Sequence, residues 1–192
     1  MGISLIQYSE ICEQDLEQII NLYETYLNSG KYIQDTMHEA YESKEYIGYK
    51  ACDGNKVIGF FSGRGDFAFT YPHPELEKEI REFAGSRKLY NPDALLVLEQ
   101  YRNHGIAGEL VRRMKKSILA QKVELALVEL WIYPDETVPA QNALMELGRV
   151  VFQKRVSEFY RNLSHYGIRC PICGDLCQCG ALIQLLELGE KV

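Results

Sequence analysis

No run of about 18 consecutive apolar residues occurs in this 192-residue chain, so the sequence holds no candidate membrane-spanning helix. Basic residues are in deficit. Lys and Arg number 21 against 27 Asp and Glu, giving a net charge of −6. Sequence-independent binding to nucleic acid needs many phosphate-neutralising cations, so the deficit excludes that class and favours a cationic partner. The N-terminus, Met1-Gly2-Ile3-Ser4-Leu5, lacks a basic region followed by an apolar core, and Ile6 stands where myristoylation needs Ser or Thr. A cytoplasmic protein with no membrane partner is therefore expected. Internal repeats and low-complexity tracts are also missing. The hydrophobic fraction of 46% and charged fraction of 25% match an ordinary soluble globular protein, and this length suits one domain over residues 1–192.

Hydrophobic spacing gives the elements. Residues 3–8 alternate as a short strand. Asp15 precedes Leu16, Ile19, Ile20, Tyr23 and Leu27, a helical spacing with a capping residue in front. A weaker helix is expected from Met37 to Glu45. Residues 46–52 and 56–63 flank Asp53-Gly54-Asn55 and read as a β-hairpin. Residues 65–93 form an excursion holding a proline-initiated helix from Pro74 to Phe83, with Leu76, Ile80 and Phe83 as its inner stripe. With Phe67, Phe69, Tyr71 and Tyr90, the excursion is either a cover for a substrate or an extra helix packed on the sheet. Asn91-Pro92-Asp93 punctuates before an apolar strand, Ala94 to Glu99. Ile106, Leu110, Met114 and Ile118 line one face of a helix, and a strand from Leu125 to Tyr133 completes a β-α-β unit. A helix from Pro139 to Leu147 and two closing strands, Val150 to Tyr160 and Ala181 to Leu188, end the chain.

The turn between the apolar strand and the basic helix, Arg102-Asn103-His104-Gly105-Ile106-Ala107, carries the most information. Backbone N–H groups at a helix start have no partner inside the helix, and the helix dipole favours an anion there. Gly105 permits close backbone approach, and Arg102 offers a charge-assisted bond. The glycine offsets are not those of a dinucleotide fingerprint, and no Gly-Lys-Ser/Thr follows as a P-loop requires.

Val97, four residues, Arg102-x-x-Gly105-x-Ala107 and then Leu110 resembles the acetyl-CoA motif of the GCN5-related N-acetyltransferases, and the element order resembles that family along nearly the whole chain. The resemblance implies an α/β (α+β) fold: a mixed, mostly antiparallel sheet with a splayed central strand pair and helices on both faces. It implies that Leu95 and Val97 hold the pantetheine arm of acetyl-CoA, and that Arg102, Asn103, His104, Gly105, Ile106, Ala107 and Gly108 hold the diphosphate. The implied activity is direct transfer of an acetyl group from acetyl-CoA to a primary amine of a small molecule or basic peptide. A non-catalytic acyl-CoA-binding or metal-sensing module is the second reading. The family's second motif is incomplete: Thr137 stands where Asn is usual, Arg149 replaces an aromatic, and Leu144 stands where a Tyr commonly protonates the leaving thiolate. Tyr133 or Tyr160 are substitutes for that acid, unless coenzyme A leaves as the thiolate.

Two carboxylates are candidate bases. Glu129 interrupts the apolar run Leu125–Ile132, where desolvation would raise its pKa, and by strand alternation it shares a face with Trp131 and Tyr133. Asp93 precedes the motif strand and also reads as a turn residue.

Four of the six cysteines crowd into residues 170–179, within a loop over 168–180 of the closing hairpin. Cys170-Pro171-Ile172-Cys173-Gly174 resembles a zinc-ribbon or rubredoxin knuckle, and Cys177 and Cys179 complete a four-thiolate set. Zinc, an iron–sulfur cluster and a redox-active Cys-x-x-Cys pair all fit that pattern. In the resembled family this hairpin borders the acceptor pocket, so the loop is expected to shape it.

Overall fold

The computed structural model describes residues 5–27, 29–65 and 74–189. Seven strands form one sheet: β1 (Gln7–Glu10), β2 (Tyr46–Asp53), β3 (Lys56–Gly65), β4 (Leu89–Val97), β5 (Leu125–Ile132), β6 (Gly148–Val156) and β7 (Gly180–Leu188), in the order β1-β2-β3-β4-β5-β7-β6. Every pairing is antiparallel except β4 with β5. The expected mixed, mostly antiparallel sheet is present. No described helix is long and apolar enough to cross a membrane.

The β4–β5 pair organises the molecule. Only Leu89↔Leu125 and Tyr90↔Ala126 are in register, after which the strands diverge. Each keeps its other neighbour throughout, β3 beside β4 and β7 beside β5. The sheet is therefore split from residue 91 onward, and the split opens a cleft. Helix α4 (Ile106–Ala120) crosses from one strand to the other. Its stripe of Ile106, Leu110, Met114 and Ile118 is at most 2% exposed, as the spacing predicts. It packs with Val128, Leu130 and Ile132 of β5. On the opposite face, α1 (Leu16–Tyr26) and α2 (Lys31–Glu42) cover β3 and β4, and α3 (Pro74–Ala84) covers β5 and β7.

Several expectations are corrected. Asp15 does not cap α1 with its side chain. Its carboxylate turns back to accept the Cys12 N–H at 2.7 Å and to pair with Lys50. Asn91-Pro92-Asp93 lies inside β4 rather than before it, because Asp93 is the extra residue of a bulge between Ser62↔Ala94 and Gly63↔Pro92. A bulge tolerates the proline that an unbroken ladder would reject. Residues 99–101 form a 3-10 turn instead of ending the strand. The helix after Pro139 shrinks to α5 (Gln141–Leu144), and β6 ends at Val156, so Ser157–Tyr160 are turns. The excursion contains a helix packed on the sheet; Tyr90 is fully buried and covers nothing, and Phe67, Phe69 and Tyr71 fall outside the described residues. Phe83 is 39% exposed and meets Phe152 at 5.6 Å between ring centroids instead of joining the α3 stripe.

Candidate functional site

The cleft between β4 and β5 has a volume of about 780 Å³, ample for a cofactor arm and a small acceptor group. Leu95 and Val97 line it from β4, and Val128 and Leu130 from β5. The Leu98 N–H donates to Ile58 in β3 at 2.8 Å. Main-chain direction alternates along a strand, so the backbone groups of Leu95 and Val97 face the opened edge. The Val97 carbonyl accepts Arg102 Nε at 3.1 Å. This contact ties the turn at residues 102–107 to the end of β4.

Arg102, Asn103, Gly105, Ile106, Ala107 and Gly108 all line one end of the cleft. Gly105 adopts φ +77° as the N-cap of α4, and no side chain caps the helix. The first-turn amides are thus free of a capping side chain and face an anion-favouring dipole. Asn103 is also left-handed, at φ +63°. His104 is outside the lining; it is exposed, with Nδ1 2.7 Å from the Arg102 carbonyl. Arg102 stacks its guanidinium 4.9 Å from the Tyr26 ring centre and so bridges the turn to α1.

The other end of the cleft holds the titratable groups. Asp93, Glu129, Tyr133 and Tyr160 all line it. The β4 bulge places Asp93 where burial pushes its carboxyl from an ordinary 3.8 up to about 6, with Arg64 offsetting part of the rise. Its Oδ2 is buried with no hydrogen-bond partner among the described residues. Burial likewise raises Tyr46 to about 12 and raises the fully buried Tyr90 phenol. Glu129 differs from expectation: it is exposed, because its β5 position faces the cleft mouth, so the expected desolvation does not occur. It does share a face with Trp131 and Tyr133, and it accepts the Tyr160 hydroxyl at 2.6 Å. Trp131 lies 6.3 Å from Tyr133 and 5.2 Å from Tyr160, ring centre to ring centre. Burial raises the Tyr133 phenol as well. Leu144, 5% exposed, lines the cleft at the position where the resembled family has its tyrosine.

Two features escaped the sequence reading. Tyr23, Tyr26 and Leu27 at the end of α1 form the opposite wall of the cleft. Tyr23 carried only a core-facing signal, and Tyr26 carried none. The second feature is a strap: Ser29 and Arg169 exchange backbone hydrogen bonds, at 3.4 and 3.3 Å, across 140 residues of sequence. Gly30 allows it, because a Cβ there would lie 2.7 Å from the Gly167 carbonyl oxygen.

The cysteines do come together. The Sγ atoms of Cys170, Cys173, Cys177 and Cys179 all lie within 4.8 Å of one another. Cys170, Cys177 and Cys179 are buried, and Cys173 is half-buried. His165 is exposed.

A sheet split between two parallel strands, with a helix starting at the open end of the split, is the architecture of the acyltransferase fold. The acetyltransferase (GNAT) family model matches residues 13–148, more than two thirds of the chain, and the protein belongs to that family. No curated protein matches the sequence significantly. Among solved structures, the chain is similar to Arabidopsis thaliana NAA60 in complex with a bisubstrate analogue, at 17% identity and TM-score 0.69, covering 97% of this chain and 100% of that one. It is similar to the NatC complex bound to Gag peptide and CoA, at 20% identity and TM-score 0.65, over 97% and 100% of the two chains. It is also similar to the Escherichia coli ribosomal-protein-S18-alanine N-acetyltransferase, at 12% identity and TM-score 0.61, over 98% and 99%. At these identities the likeness concerns the fold.

Proposed function

We propose that this protein transfers an acetyl group from acetyl-CoA directly to a primary amine of a small molecule or peptide. One observation carries the proposal: the β4–β5 cleft joins the α4 N-terminus, with no side chain on its N-cap Gly105, to the desolvated Asp93 carboxylate, whose Oδ2 has no hydrogen-bond partner among the described residues. Amides from Asn103 to Gly108 would hold the diphosphate, and the open edge at Leu95 and Val97 would hold the pantetheine arm. Family membership and the acetyl-CoA-bound Arabidopsis NAA60 structure support the cosubstrate.

An alkylammonium is not a nucleophile at neutral pH. Asp93, ionising near pH 6, is mostly a carboxylate at pH 7 and is basic enough to take the ammonium proton, directly or through one water. The freed amine nitrogen attacks the thioester carbon. The tetrahedral intermediate then collapses, the C–S bond breaks, the nitrogen releases its second proton to water, and coenzyme A departs as a thiolate that needs a proton. Tyr133 is the hydroxyl assigned to supply it. Glu129, exposed and held by Tyr160, attracts the incoming ammonium, and the Trp131, Tyr133 and Tyr160 rings add cation–π attraction. This chemistry suits a cationic acceptor and matches the net acidity of the chain.

The test is acetyl-CoA-dependent release of free thiol with a panel of amines and basic peptides. Turnover that falls sharply in Asp93→Asn supports the assignment; turnover by no amine counts against catalysis. The buried Leu144 favours a specific second reading, in which the cleft binds acyl-CoA without turning it over. Tight acetyl-CoA binding without turnover supports that reading.

A further inference from the structure

We propose that Cys170, Cys173, Cys177 and Cys179 bind one Zn²⁺ ion, and that this ion holds the Arg169–Ser29 strap and the Tyr160 wall in place, preorganising the acceptor half of the cleft. The geometry is that of a single-ion site. A tetrahedral ion with Zn–S bonds near 2.3 Å sets its sulfurs about 3.8 Å apart. The sulfur separations are 3.5 Å for Cys173–Cys179 and 4.0 Å for Cys170–Cys179, and none of the six exceeds 4.8 Å. These distances are too long for disulfides, whose S–S bond is about 2.05 Å, and too short to surround a cluster of several irons and sulfides. The turn is built for thiolates. The Cys173 N–H points at Cys170 Sγ at 3.5 Å, Gly174 sits at φ +73°, and Cys170 and Gly174 exchange backbone hydrogen bonds at 2.9 and 3.3 Å.

Outside the cysteines, only Ile168 of the loop joins the core, while Ile172 and Leu176 are 48% and 81% exposed, so a bound ion would supply much of the loop's order. Yet both ends of the loop reach the cleft. Arg169, next to Cys170, forms the strap to Ser29, just beyond the α1 wall with Tyr26 and Leu27. Cys179 accepts the Tyr160 N–H through its carbonyl at 3.5 Å, and Tyr160 in turn holds Glu129 at 2.6 Å. Cys170, Cys177 and Cys179 pack in one apolar cluster with Trp131, Tyr133 and Tyr160. The turn at residues 102–108 meets this wall through Arg102, whose guanidinium lies 4.9 Å from the Tyr26 ring centre. The consequence for the acceptor rests on the proposed acetyl transfer; the metal site does not.

The experiment uses the full chain purified under reducing conditions. Metal analysis is expected to find about one zinc per chain, and cobalt substitution to give the intense visible bands of a tetrahedral tetrathiolate ion. Cys173→Ser, the half-buried ligand, is expected to weaken metal binding at least about tenfold while the sheet still folds. Hydrogen exchange at the Ser29 and Arg169 amides should accelerate by about tenfold or more in that variant and on chelation, with the β4 and β5 amides unchanged. The acceptor KM should rise by a larger factor than the acetyl-CoA Kd, which the strap reaches only through the Tyr26–Arg102 contact. Iron in place of zinc, four titratable thiols with no metal after anaerobic zinc loading, or oxidised cysteine pairs in the native protein would each overturn the site. Unchanged exchange at Ser29 and Arg169 in metal-free protein would overturn the strap. A zinc-loaded protein that binds no acetyl-CoA would sink the transferase reading while leaving the metal result standing.

Discussion

Replacing Asp93 with asparagine separates catalysis from stability in opposite directions. The β4 bulge buries the carboxyl and lifts its pKa from 3.8 to about 6. Well below pH 3.8 the group is protonated in both the folded and unfolded chain, and burial costs little. Between about pH 4 and 6 the unfolded chain has released the proton and the folded chain has not. Each unit of that window lowers folding stability by about 1.36 kcal/mol, so the native protein loses about 3 kcal/mol of stability from this one group as pH rises past 6. The amide of the Asp93→Asn variant carries no charge and removes this slope. Its own burial cost is independent of pH and cancels when the two proteins are compared across pH. Urea unfolding at pH 4 and pH 7.5 should therefore show the stability difference between variant and wild type moving by about 2.4 kcal/mol in the variant's favour. The same variant should lose about 10²–10⁴-fold in kcat/KM, together with the rising acid limb near pH 6 in the wild-type profile. A difference that moves by less than about 1 kcal/mol would show that the carboxyl is not desolvated. Near-wild-type turnover with an unchanged acid limb would show that another group is the base.

Other perturbations test other parts of the site. Ala107→Asp adds a carboxylate to the first turn of α4, which the helix dipole favours by about 0.3–1 kcal/mol; it should leave Tm unchanged or raised while weakening acetyl-CoA more than about tenfold in calorimetry. Leu144→Tyr supplies a phenol in the cleft; if thiolate protonation limits turnover, kcat should rise despite an overpacking cost of about 1–3 kcal/mol, and unchanged kcat would place the limit elsewhere. Tyr133→Phe should lower kcat without changing acetyl-CoA affinity, read by thiol release and calorimetry. Lys50→Met leaves the buried Asp15 carboxylate without its ion-pair partner, the two side chains being only 14% and 10% exposed in the native pair. It should cost about 3 kcal/mol in urea unfolding and leave the acetyl-CoA Kd of the folded fraction as it was.

The α4 stripe, the hairpin and the glycine-bearing turn before α4 were legible because each is a local pattern: a period of four, an Asp-Gly turn, a glycine between strand and helix. The splay of β4 from β5 was accessible only through family resemblance, since no residue in either strand marks where pairing stops. Asp93 was half-read. Pro92 looked like a stop because a proline breaks a regular ladder, and only the partner strand shows that a bulge absorbs it. Glu129 was misjudged for a similar reason: an apolar run says which strand is central but not which of its positions faces an opened cleft. Asp15 looked like a cap until Lys50, 35 residues away, drew its carboxylate back. The Ser29–Arg169 strap joins two loops without periodicity and left no sequence signal beyond a glycine.

Calorimetric titration of the intact protein with acetyl-CoA tests the central claim most directly. One-to-one binding with a micromolar Kd, or about −8 kcal/mol, abolished by Ala107→Asp, is the expected result. No heat of binding at millimolar acetyl-CoA, or binding that Ala107→Asp leaves untouched, would contradict the placement of the cofactor between β4 and β5.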